Sequence, residues 1–413
     1  MNRGLYPNGL NHYRSLKFQK LRKLISKNQS KIKIEGLYGS SLSFLLIDIF
    51  LSIDKQLFYI SSSKENASYT YTDLLEFLGE QKCNLLPSNY RNYNNKIKDE
   101  SNVLNRTKTI RDIAEKKAKI IITYPEAIFE KIPNEKAIKE KSLNIKIGQE
   151  LELNNMNEKL FELNFEKDDY VQQPGDFAVR GNILDIFSYA YTNPLRFEFD
   201  GNKIESIRQF NIDTQYSVKE VESAKITPDI SNQKFIERGN SIINIIDSDT
   251  LIVTEEINSI KKKLIENNKT NSSDYSEKLF SKDLKEKKLI SVNNFEKSAD
   301  IKFNIIQQPS FNKKFEILNN DLQKHSRNNY KINIYFSNKE QSNRFNQILS
   351  QYSFDYEFKS IIKPIYRGFI NHDELKVCYT DHEIFNRFHR YKIQKKYNKS
   401  KKVNIEDLNK IMV

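Results

Sequence analysis

The sequence predicts an α/β protein: one α/β domain in two halves, an α+β insert between them, and a small C-terminal α/β unit. Three observations carry this. Continuous apolar runs alternate with amphipathic segments through the first third of the chain, as parallel strands and their covering helices do. Near Ser142 the period shifts to short two-residue alternation broken by turn signals. After Pro228 the first pattern returns with "TLIVTEE" (Thr250 to Glu256).

Each element follows from its residues. Ser40 to Ile53 reads as a helix, and "QLFYIS" (Gln56 to Ser61) as a buried strand. "YTDLLEFLGEQ" (Tyr71 to Gln81) is an amphipathic helix with Leu74, Leu75, Phe77 and Leu78 on its apolar side. "CNLLP" is a short strand stopped by Pro87, Arg106 to Lys116 is helical, and "AKIIITYP" (Ala118 to Pro125) has the apolar run of a central parallel strand. "SLNIKIGQELEL" alternates from Ser142, and a short helix follows at Asn155 to Leu163. Alternating strands then run through "DDYVQQPGDFAVRG", "NILDIFS", "LRFEFDGNKIESIRQF" and "AKITP". Turns are expected at Pro174-Gly175, Arg180-Gly181-Asn182 and Asp200-Gly201-Asn202. Asn267 to Ser273 and Ser310 to Lys314 read as linkers. "YKINIYFS" (Tyr330 to Ser337) and "LKVCYT" (Leu375 to Thr380) read as strands, and Lys339 to Gln351 as a helix. Thr380 with Glu383 has the spacing of a capping box.

Composition bounds the function. A chain of 413 residues, 38% apolar and 29% charged, holds about two to four domains. No apolar run reaches the ~18 residues that span a bilayer; the nearest, Ser43 to Ile53, is interrupted by Asp48. The N-terminal residues lack the apolar core of a signal peptide. Cys83 and Cys378 are far apart in sequence, which fits a reducing cytoplasm. The net charge of +13 fits a nucleic-acid or acidic protein partner. It equally fits the Lys-, Asn- and Ile-rich drift of an AT-rich genome. The charges are well mixed except in "HRYKIQKKYNKSKK" (His389 to Lys402).

"GLYGSSLS" (Gly36 to Ser43) resembles a phosphate-binding loop, G-x-x-x-x-G-K-[ST]. Gly36 and Ser43 fit that pattern and Gly39 adds a second flexible point, but Ser41 replaces the second Gly and Leu42 replaces the Lys. Leu42 cannot donate to a phosphate, and no downstream strand is expected to end in a paired acid. "DES" (Asp99 to Ser101) falls in a polar loop, and Asp373-Glu374 in a turn. The stretch therefore reads as a structural turn, with no catalytic residue and no cofactor expected. Cys378, His382 and His389 lack a fourth metal ligand and do not share an element. "HDEL" (His372 to Leu375) is internal and cannot be a retention signal.

The insert is the informative region. In "LRFEF", Leu195, Phe197 and Phe199 share one face, which leaves Arg196 and Glu198 on the other. Arg180 sits at a Gly-flanked strand end. Arg180, Arg196 and Arg208 form either a charged recognition surface or an ordinary solvated sheet face, and planar guanidinium forks favour carboxylate recognition.

"GDFAVRGNILDIFSYAYTNPLRFEFDGNKIESIRQFNIDTQYS" resembles the signature of the insert domain shared by the repair helicase UvrB and the transcription-repair coupling factor (Mfd). The decayed loop at Gly36–Ser43, "RTKTIRDIA…IIITYPEAIFEKIP" and "PIYRGFINHDELKVCYTDHEIFNRFHRYK" are similar to the coupling-factor family. The resemblance implies a UvrB-like, degenerate helicase-type domain over residues 1–138 and 229–310. It also implies a UvrA-binding insert over 139–228, a small α/β domain over 311–392 and a basic linker over 393–413. In the family Arg180 and Arg196 would contact UvrA. An aromatic often stands where this chain has Asp200, which puts that contact in question. The family's ATP-dependent translocase and RNA-polymerase-binding domains would lie beyond Val413. The implied role is recruitment of UvrA in the cytoplasm by a non-catalytic region; the alternatives are part of a longer ATP-dependent translocase acting on stalled RNA polymerase, or a decaying gene remnant. The net charge of +13 would reach DNA only through nonspecific phosphate contacts.

Overall fold

In the computed structural model of the chain, the residues described are 16–27, 29–53, 55–92, 97–133, 140–230, 240–270, 275–293, 298–352 and 355–387. The basic tail, His389 and the linker at 393–413 lie outside them. The chain forms two compact units. Among the described residues, one gathers those within 16–87, 115–131 and 241–387, and the other those within 88–114 and 132–240. Among the described residues, no helix is long and apolar enough to cross a membrane.

The first unit is built on a seven-stranded sheet. Its strands run in the order Ile301–Lys302, Lys31–Glu35, Lys288–Val292, Leu251–Glu255, Leu57–Ile60, Ile120–Thr123 and Cys83–Leu85, all parallel. Segments on both sides of the second unit's sheet in sequence, 31–123 and 251–302, therefore contribute to one sheet. Leu57–Ile60 and Ile120–Thr123 are buried at every position, as strands covered on both faces must be. Ile120–Thr123 is interior but not central; the middle place belongs to Leu251–Glu255.

Asp48, the acid that interrupts the apolar run, is buried and paired with Arg22 of the helix Leu16–Ser26. A five-stranded sheet completes the unit, in the order Ile305–Gln307, Phe369–Asn371, Lys376–Thr380, Lys331–Tyr335 and Phe358–Ile361.

Several boundaries differ from expectation. The helix expected from Tyr71 begins at Lys64 and ends at Leu78, because the Ser63 side chain caps it by accepting from the Asn66 amide at 3.1 Å. "DES" opens a helix, Glu100–Ala114, rather than lying in a loop: Asp99 Oδ1 accepts from the Ser101 amide at 3.1 Å. The alternation from Ser142 yields only Leu143–Lys146 before Gly148 turns the chain at φ +80°. The helix Ile257–Thr270 runs into the first expected linker as far as Thr270, and 271–273 lie outside the described residues. The capping box does not form. Thr380 Oγ1 engages His382 Nδ1 at 2.7 Å, and Glu383 accepts from the Gly368 amide at 2.7 Å. Tertiary partners outcompete the local motif.

The second unit carries a six-stranded sheet, ordered Ser217–Glu220, Lys203–Phe210, Leu195–Asp200, Ile183–Ile186, Asp176–Arg180 and Glu166–Lys167. Two-residue turns at Gly181-Asn182 and Gly201-Asn202 close its hairpins. Gly181 has φ +57° and Gly201 φ +61°, the sign required at the first central position of a tight hairpin turn. One face packs on the helix Leu153–Glu162 through Phe177, Leu184, Ile186, Leu195, Phe197, Met156 and Leu160. Burying each large apolar side chain contributes about 1.5–3 kcal/mol. The strands Leu143–Lys146 and Ser223–Ile226 pair beside this core.

Candidate functional site

The opposite face of the six-stranded sheet holds the arginines, and strand register decides their neighbours. Asp185 faces Arg196 across one strand pair, and Arg196 faces Arg208 across the next. Arg196 grips Asp185 with both edges of its fork, Nε to Oδ1 at 2.7 Å and Nη2 to Oδ2 at 2.8 Å. Arg180 Nη2 reaches the same Oδ2 at 2.5 Å. Asp185 is 1% exposed, whereas the side chains of Arg196 and Arg180 are 13% and 34% exposed. Hydrogen bonding to Asp185 holds the Arg196 guanidinium above its ordinary pKa. A buried carboxylate thus anchors two forks at the sheet surface.

Aromatic rings support both arginines. Arg196 lies 4.4 Å over the Phe210 ring and Arg180 4.7 Å over Tyr170. Phe210 belongs to a small apolar cluster with Val171, Ala178 and Phe187. Arg208 instead binds Glu198 at 2.5 Å, and Ser206 Oγ donates to the other Glu198 oxygen at 2.7 Å. This pair is about one-third exposed on both sides, so it opens at little cost. Asp200 is exposed at the strand end, opposite Lys203 in register.

The structure thus brings Arg180 and Arg196 together and leaves Asp200 apart from their ion pairs. Sequence reading missed Asp185, although a signal was present: in "NILDIF" the acid sits between Leu184 and Ile186, and strand alternation puts it on the arginine side.

Residues 143–231, which contain this whole constellation, match the family model described as the UvrB interaction domain. The chain carries a UvrB interaction domain. Beyond that domain's bounds, it is similar to transcription-repair-coupling factors. It is 29% identical over 197 residues to that of Bacillus subtilis (strain 168), which covers 47% of this chain and 17% of the relative. It is 24% identical over 206 residues to that of Myxococcus xanthus, covering 48% and 17%. With that of Staphylococcus aureus (strain MSSA476) it shares 23% over 216 residues, covering 51% and 18%. The match spans less than a fifth of the length of these relatives. The UvrB interaction domain is the part of the chain in which a family model and the resolved arginine geometry coincide.

The turn at Gly36–Ser43, in the other compact unit, uses its donors internally. The amide of Ser40 donates to the Arg367 carbonyl at 3.1 Å, and that of Ser41 to Tyr38 at 3.2 Å. The Arg367 amide returns a bond to Ser40 Oγ at 3.0 Å. Ser43 Oγ, the hydroxyl that would hold a metal in a working loop, donates to Asp73 at 2.7 Å. The Tyr366 amide donates to the other Asp73 oxygen at 2.8 Å. Burial pushes the Asp73 carboxyl up to about 7. Gly36 and Gly39 have φ +82° and +55°, and a Cβ at Gly39 would stand 2.9 Å from the Arg367 oxygen. Leu42 is buried.

A strand end near the turn does carry an acid pair, Glu255 and Glu256, against expectation. Both line a cleft of about 200 Å³ with Tyr38, Leu42, Tyr366 and Arg367. Glu255 Oε2 already accepts from Ser61 Oγ at 3.0 Å and from the Ser62 amide at 2.9 Å. Cys378 and His382 are both buried; the His382 ring is held by Thr380.

Proposed function

We propose that the chain recruits UvrA in transcription-repair coupling, with Arg180 and Arg196 as its contacts. The observation that carries this reading is the Asp185-anchored pair of guanidiniums on a UvrB interaction domain. Similarity to coupling factors supports the pathway. In domain terms we read residues 1–138 and 229–310 as halves of one UvrB-like domain, 139–228 as the insert, 311–392 as a small α/β domain and 393–413 as a linker. The shared seven-stranded sheet supports the two-halves reading. On this reading the chain is a cytoplasmic adaptor, non-catalytic by itself, whose contacts with DNA go through phosphates alone.

Calorimetric titration of the full chain with UvrA tests the reading. Hydrogen bonds to charged groups contribute about 1.5–3 kcal/mol, so Arg180→Ala should weaken the complex roughly ten- to a hundredfold. Asp200→Phe should tighten it, if an acid stands where an apolar contact belongs. No binding by the wild type, or undiminished binding by Arg180→Ala, overturns the reading.

A further inference from the structure

The loop before the strand Asp176–Arg180 carries an aromatic side chain that neither the sequence reading nor the family resemblance singles out. Tyr170 is 58% exposed, while its neighbour Val171 is 3% exposed and packs into the apolar cluster with Ala178, Phe187 and Phe210. The following amides, of Gln172 and Gln173, both donate to Asp176 Oδ2 at 3.0 Å, and Asp176 is itself buried. A large ring is therefore held at the surface on an ordered loop, so little ordering entropy would be lost on docking. Tyr and Arg are among the side chains enriched at the few positions that dominate interface energetics.

The charge balance names the other half of the contact. Among the described residues Asp185 is the carboxylate paired with Arg180, and it is shared with the bidentate fork of Arg196. One carboxylate between two guanidiniums leaves a positive charge uncompensated. The Tyr170 face holds the Arg180 plane at 4.7 Å without consuming an N–H, so the fork keeps donors for a second carboxylate.

We propose that Tyr170 is the aromatic anchor of the docking surface. With Arg180 it receives an acidic side chain of the partner, while an apolar group beside that acid covers the ring; Arg196, itself a contact, also positions Arg180 through Asp185. This rests on the reading that the partner is UvrA.

The test titrates full-length chain with UvrA for the wild type, Arg180→Ala, Tyr170→Ala, Tyr170→Phe and the double variant Tyr170→Ala/Arg180→Ala. Thermal unfolding of each is followed in parallel. Tyr170→Ala should weaken binding about tenfold with unfolding unchanged, since the ring is exposed. Tyr170→Phe keeps the ring and should bind within about twofold of wild type. The double variant should lose less than the product of the two single losses, because the groups act together. If Arg180→Ala weakens the complex and Tyr170→Ala does not, the anchor is wrong and the recruitment reading stands. Tyr170→Phe behaving like Tyr170→Ala also overturns the ring's role. Absence of binding by the wild type overturns both.

Discussion

Two regions of this chain carry residues suited to gripping an anion: the glycine-bearing turn at Gly36–Ser43 and the arginine face of the UvrB interaction domain. In the turn, the chain itself supplies the acceptors. The Arg367 carbonyl takes the Ser40 amide, Asp73 takes the Ser43 hydroxyl, and Tyr366 stacks on Tyr69 with ring centroids 3.4 Å apart. On the arginine face one buried carboxylate serves two cations, and the exposed Tyr170 ring and guanidinium edges remain. A motif's residue types say what it can bind. Whether its donors are already engaged says what it does bind, and only three-dimensional pairing shows that.

The largest effect expected is at the anchor of the exposed site. Removing one partner of a buried ion pair typically costs about 3–5 kcal/mol, because the other charge stays buried. Arg196→Ala should therefore lower the stability of its unit markedly, seen as a drop in the denaturation midpoint. Arg180→Ala should not, since Arg196 still holds Asp185. Equal stability of the two variants would break the division between an anchoring and a presenting arginine.

A smaller effect sharpens the internal character of the turn. Asp73 sits near 7 in the folded chain, above an unfolded value of about 3.9. The folded state holds the proton more tightly, so this contribution is fully present below about pH 4 and is lost as pH rises through 7. Asp73→Asn should flatten that decline, measured as denaturation midpoints between pH 5 and pH 8. A slope equal to the wild type's would mean that Asp73 is not the group that titrates.

The smallest expected change is none. Restoring the missing lysine by Leu42→Lys should not confer ATP binding in equilibrium dialysis, because the amides and the Ser43 hydroxyl remain engaged. Saturable binding by that variant would show that the segment around Arg367 gives way to phosphate.

Much of the fold could be read from periodicity. Leu57–Ile60 and Ile120–Thr123 stand out because both of their faces are buried. The hairpins around Gly181 and Gly201 stand out because few residues adopt positive φ. What could not be read depended on partners distant in sequence. The Thr380/Glu383 spacing was right for a cap, but the Gly368 amide claimed Glu383. "KIKIE" (Lys31–Glu35) is too short and too charged to declare itself, yet it lies between two strands from the far end of the described sheet's sequence. At the site, the arginines were visible as residue types. The buried acid that orients them required the register between Ile183–Ile186 and Leu195–Asp200.

The seven-stranded sheet also sets a timetable. Leu57 pairs with Leu251, so the strand Leu57–Ile60 has no neighbour on that side until nearly half the chain more has been made; Lys31, paired with Leu289, waits longer still. At about 5–20 residues per second of synthesis, the wait is on the order of ten to forty seconds. The arginine-bearing hairpins join strands close in sequence and need no such delay. On the ribosome the docking surface should therefore be complete while the sheet that precedes it still has an open edge, and that edge is where aggregation during synthesis would begin.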